Sequence, residues 1–80
     1  MNIYETTHRA SCPNGDLMDN YQITIRSQAT IMVEDILRTL NEAPLKIYQE
    51  DLATLLRAKL GGEVAVVGWH HGIKIISTRL

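Results

Sequence analysis

The sequence holds a single cysteine, two prolines and no long apolar run. One cysteine excludes an internal disulfide, and without a cluster of metal-ligating residues the chain has no covalent or metallic staple. No stretch approaches the roughly 18 consecutive apolar residues that a membrane span needs, and the opening "MNIYETTHRA" lacks the apolar run of a secretory leader. A cytoplasmic protein with a free, reduced thiol at Cys12 and no membrane partner is therefore expected. Charge of one sign is scarce as well. Eight basic and nine acidic side chains leave a net charge of −1, which excludes the broad basic field of a nonspecific nucleic-acid binder. Repeats, low-complexity tracts and linkers are absent, and Pro13 and Pro44 fall at turns rather than at a boundary.

What is present is ordinary globular material: 80 residues, 45% of them hydrophobic, making one domain over 1–80. A chain of this length buries only about 60% of its unfolded surface, so a homo-oligomer is the expected source of further stability. "NIYETTHRAS" reads as a first strand. In "NYQITIRS", Tyr21, Ile23 and Ile25 alternate with Gln22, Thr24 and Arg26, the pattern of a half-buried strand. "TIMVEDILRTLNEA" places Met32, Val33, Ile36, Leu37 and Leu40 on one helical stripe, with Thr30 as its cap and Pro44 as its stop. "IYQEDLATLLRAKLGG" repeats that pattern and ends in Gly61 and Gly62, which suit a helix C-terminus. "EVAVVGWHHGIKIISTRL" is a hairpin, with Gly68 and Gly72 expected at its turn.

The order β-β-α-α-β-β gives an α+β fold: one four-stranded antiparallel sheet with two helices laid across one face. Ile73 and Ile75 lie on one side of the last strand and Ile76 on the other. Apolar residues on both faces suggest that subunits join their sheets into a larger barrel.

The chemistry-bearing stretch is "CPNGDLMD", residues 12–19, with Asp19 seven positions beyond the thiol. On the residues alone, Cys12 is either a small buried apolar side chain with Asp19 at a strand edge, or a nucleophile with its acid. Glu50, with Gln49 before it and Asp51 after it, opens the second helix, where a carboxylate favours the macrodipole whether or not it also binds a ligand. Adjacent His70 and His71 point apart in a strand or turn, so they seldom share one metal ion, and no metal is expected.

"CPNGDLMD" leading into "NYQITIRS" is similar to the Cys-Pro, five residues, Asp entry into a strand of the 7-cyano-7-deazaguanine (nitrile) reductases. "YQEDL" is similar to their aromatic-His-Glu-Asp helix start, and "GIKIISTR" to their Gly-Gly-Ile final strand. Together the chain resembles the tunnelling fold, the ββααββ unit that those reductases share with GTP cyclohydrolase I and 6-pyruvoyl tetrahydropterin synthase. Oligomers of that fold close barrels and bind purine or pterin rings between subunits.

The resemblance implies that Cys12 adds to a nitrile carbon to give a thioimide, that Asp19 moves protons to and from the nitrogen, and that Glu50 grips the amino-pyrimidine edge of the ring. Gln49, standing where those reductases have His, joins Glu50 as a substrate-binding residue. It can hydrogen-bond but cannot carry a proton at neutral pH. The Glu-Ser-Lys-Ser segment that binds NADPH in the reductases is replaced by "SQATIMVEDIL", so NADPH is a cofactor without its motif here. Relatives without that segment are amidinotransferases that act on a modified base of transfer RNA, in pathways of the queuosine and archaeosine type. Transfer RNA thus enters as a partner, though no basic patch is evident. The alternative is a non-catalytic oligomeric module of the same fold that binds a purine, deazapurine or pterin.

Overall fold

The computed structural model describes residues 1–15 and 18–80. Its elements are β1 (Asn2–Ser11), β2 (Met18–Ser27), α1 (Val33–Glu42), α2 (Gln49–Leu60), β3 (Glu63–His70) and β4 (Ile73–Arg79). The four strands form one antiparallel sheet in the order β1-β2-β3-β4. The helical pair interrupts the chain between its two central strands.

Alternation along β2 sets the core. Tyr21, Ile23 and Ile25 are buried, and their cross-strand partners His8, Thr6 and Tyr4 on β1 lie on the same face. On the other side Ile25 and Ile23 pair with Val64 and Val66 of β3. Over this apolar strip α2 lays Leu52, Ala53 and Leu56, all fully buried, and α1 adds Ile36 and Leu40. Each buried leucine stabilises the fold by about 1.5–3 kcal/mol.

Three local expectations need correction. Thr30 does not cap α1: the helix begins at Val33 behind Met32, with no side-chain cap. The amide of Ile31 is instead held by the Tyr4 hydroxyl at 2.9 Å, which ties the incoming chain to β1. Of the stripe on α1 only Ile36 and Leu40 are buried, whereas Met32, Val33 and Leu37 stay exposed. Thirdly, Gly68 is not in the hairpin turn. It sits inside β3 opposite Ile75, and the turn is His71–Gly72, both at positive φ (52° and 81°). Two such residues make the tight turn that matches strand twist. Elsewhere α2 ends as expected on Gly61, at φ 77°.

The outer face of the sheet is part apolar. Ile3, Trp69 and Ile76 are all more than half exposed there, beside Arg26, Lys74 and Val67. No helix among the described residues is long and apolar enough to cross a membrane.

Candidate functional site

The end of β1 is pinned to the segment that precedes α2. Ser11 donates its amide to the Leu45 carbonyl and accepts from the Ile47 amide, both at 3.0 Å, so Ser11 and Lys46 form a short parallel bridge. This bridge sets Cys12, the next residue, close to the start of α2. The chain then turns: the Gly15 amide bonds the Cys12 carbonyl at 3.0 Å, closing a four-residue turn through Pro13 and Asn14. Residues 16 and 17 of the "CPNGDLMD" stretch lie outside the described residues. Cys12 is a free, half-buried thiol.

Asp19 lies within β2, where it pairs with Ala10. Two residues on, and therefore on the same face, comes Tyr21. Its side chain is fully buried and its hydroxyl has no hydrogen-bond partner among the described residues. Burial first, then the charges of Asp19, Cys12 and Glu50 in that order, push this phenol up to about 12. All three acidic groups act on this phenol in the same direction, each disfavouring its ionised form.

Glu50 is exposed in the first turn of α2, which starts without a side-chain cap. Gln49, beside it, points inward. Its Nε2 donates to the carbonyl oxygens of Val66 at 2.7 Å and Ile75 at 2.8 Å. Both partners are acceptors, which fixes the amide orientation and leaves Oε1 buried and unpaired. Gln49 thus fastens α2 to β3 and β4, and only its oxygen remains uncommitted. Gly68 makes room for this arrangement: a Cβ there would stand 2.5 Å from Gln49 Oε1 and 2.8 Å from Tyr21 Cε1.

Two further residues were not singled out from sequence. Tyr21 reads there only as an apolar strand position, although it carries a hydroxyl on the buried stripe of β2, as Ser27 does at the strand's end. His8, directly across from Tyr21, is half-buried, and burial holds its imidazole below the ordinary 6.5. His70 is half-buried on β3 and His71 is exposed in the turn. Among the described residues no group of three or more His, Cys, Asp or Glu side chains is placed to hold a metal ion.

No protein-family model and no curated protein sequence matches this chain. Among solved structures, the apo form of the archaeosine synthase QueF-Like is similar over 98% of this chain and 89% of its own, with a TM-score of 0.78 at 18% identity. The chain has the ββααββ tunnelling fold. At that identity the likeness speaks to backbone architecture, and the tunnelling fold accounts for the strand order and for the helices on one face.

Proposed function

We propose that the chain is a small enzyme that forms a covalent adduct between Cys12 and a nitrile-bearing deazaguanine and then transfers an amine to it. The backbone bridge between Ser11 and Lys46, which brings Cys12 beside the segment that leads into Gln49 and Glu50, supports this reading. In the first step the Cys12 sulfur bonds to the nitrile carbon while one C–N π bond breaks. Asp19 takes the thiol proton and delivers it to the nitrogen, which gives a thioimide. In the second step ammonia, or another amine, adds to that carbon and the C–S bond breaks. The products are an amidine and the regenerated thiol, with no change of oxidation state. Glu50 accepts two N–H hydrogen bonds from the amino-pyrimidine edge of the ring, a bidentate pairing suited to a carboxylate. Gln49 Oε1 is a further acceptor beside it.

Two considerations favour amine transfer over reduction. The stretch 27–37 has none of the lysines that hold NADPH in the nitrile reductases, and the similar solved structure is that of an archaeosine synthase. A free nucleophilic thiol is best kept in reducing surroundings, which supports a cytoplasmic location in this reading. The substrate is then a free deazapurine or one carried by transfer RNA, bound where subunits of a homo-oligomer meet.

Intact-mass measurement after mixing with 7-cyano-7-deazaguanine tests the reading. The expected result is a one-to-one adduct that is absent in Cys12→Ala, slowed roughly a hundredfold in Asp19→Asn, and discharged by ammonium without NADPH. Binding of the ring with no adduct at any pH would make the protein a binding module. Consumption of NADPH by the adduct would make it a reductase.

A further inference from the structure

We infer that Arg79 is a positioning residue for Glu50: its guanidinium ties the first turn of α2 to the end of β4 and so fixes the backbone from which the Glu50 carboxylate meets the ring. The inference rests on the reading of Glu50 as a ring-binding residue given above.

A helix start leaves its first amides without partners, and a side chain at the N-cap usually holds that end in place. At α2 the N-cap is Tyr48, and no side chain caps the turn. Two contacts from the sheet hold it instead. Gln49 supplies one, through the Val66 and Ile75 carbonyls. Arg79, half-buried at the end of β4 and 29 residues beyond Glu50, supplies the other. Its Nε donates to Thr54 Oγ1 at 3.0 Å and its Nη2 to the Glu50 carbonyl at 3.3 Å. The Thr54 hydroxyl donates to that same carbonyl at 3.1 Å, so guanidinium, hydroxyl and carbonyl close a triangle of hydrogen bonds on the backbone of Glu50. Nη1 bonds the Thr78 carbonyl at 2.8 Å, which holds the guanidinium against its own strand.

This clasp uses what distinguishes arginine from lysine. A planar guanidinium reaches Thr54 and Glu50 with two N–H groups at once while its third nitrogen stays on Thr78, whereas an ammonium is a point charge on a flexible stem. Arg79 forms no ion pair among the described residues. All three of its nitrogens are committed to neutral oxygens, so the contact is directional and is not a charge pair. Glu50 is itself exposed and forms no ion pair among the described residues. Its carboxylate therefore takes its place from the backbone behind it. A carboxylate that accepts two N–H bonds from one ring edge tolerates a displacement of only about 0.5 Å, and the Arg79 clasp limits that displacement.

The test uses 7-deazaguanine, which has the ring edge without the nitrile, titrated calorimetrically into the full chain, together with adduct formation from 7-cyano-7-deazaguanine. Arg79→Ala is expected to raise the Kd for 7-deazaguanine roughly tenfold. The half-saturating concentration for adduct formation should rise by the same factor, with the rate at saturation unchanged. Arg79→Lys keeps the charge and gives up the fork, so it should bind as weakly as Arg79→Ala. In the Glu50→Gln background the loss of Arg79 should cost nothing more. Wild-type affinity in Arg79→Lys, an equal loss in the Glu50→Gln background, or a slower rate at saturation overturns the inference. Should the wild type bind no ring, the functional reading fails by itself, and hydrogen exchange reads the clasp without ligand. The Leu52 amide, bonded to the Tyr48 carbonyl at 2.9 Å, should exchange faster in Arg79→Ala, while the Gly61 amide, bonded to the Arg57 carbonyl at 3.0 Å at the far end of α2, keeps its rate. An equal change at both ends, or none at either, removes the clasp.

Discussion

Gln49 joins one helix to two strands through a single amide, and removing that amide leaves the Val66 and Ile75 carbonyls without their side-chain donor. Gln49→Leu keeps the volume and takes away both bonds. Each neutral hydrogen bond contributes about 1 kcal/mol net, so the variant should lose about 2 kcal/mol, read as a lower urea midpoint with an unchanged slope. Full stability in Gln49→Leu would mean that the two carbonyls are satisfied without it. His8 gives a residue-scale pH effect of definite sign. Burial lowers its folded pKa beneath 6.5, so below that pH the unfolded chain binds the extra proton first. Stability from this group is full above 6.5 and falls as the pH drops toward the lowered folded value. Thermal melts of wild type and His8→Asn should run parallel above pH 6.5, and below it the wild type should lose Tm relative to the variant. Parallel curves across that window would contradict a buried neutral imidazole.

At the scale of elements, the strands were the most legible part of the sequence because their signals are local. Tyr21, Ile23 and Ile25 alternate without interruption and are all buried, and β1 runs over the ten residues that its Thr- and Tyr-rich composition indicated. The start of α1 was not legible. Thr30 has the chemistry of a cap, but the Ile31 amide is taken by Tyr4, 27 residues earlier, and the helix begins later. Nothing near residue 30 announces that contact. The same holds for the site. The sequence presents Cys12 and Glu50 as separate pieces, whereas the Ser11 bridge to Lys46 that brings Cys12 beside the segment leading into α2 involves backbone groups any residues supply. Tyr21 was hidden by its own success as a strand residue, since its ring satisfies the apolar pattern while its hydroxyl is buried without a partner among the described residues. Gly68 misled in the opposite sense. Glycine usually marks a turn, but here its missing side chain is what lets Tyr21 and Gln49 approach β3.

At the scale of the molecule, the sheet ends in two uncovered edges, β1 and β4, and turns Ile3, Trp69 and Ile76 outward. An open edge presents unpaired backbone donors and acceptors, and a single small core leaves little margin for exposed apolar side chains. Both costs fall together if β4 of one chain pairs with β1 of another and the outer faces line a common barrel. Sedimentation equilibrium at micromolar concentration should then report a closed assembly. Ile76→Glu, which sets a charge at the middle of the outer face beside Val67, should weaken assembly at least about tenfold, the cost of burying an unpaired carboxylate being several kcal/mol. Circular dichroism separates this from unfolding, because residue 76 faces away from the helices and its replacement leaves the core of each chain intact. A wild-type chain that sediments as a folded monomer would show that the edges and the outer face are tolerated in water, and would leave the Cys12 site to be completed within one subunit.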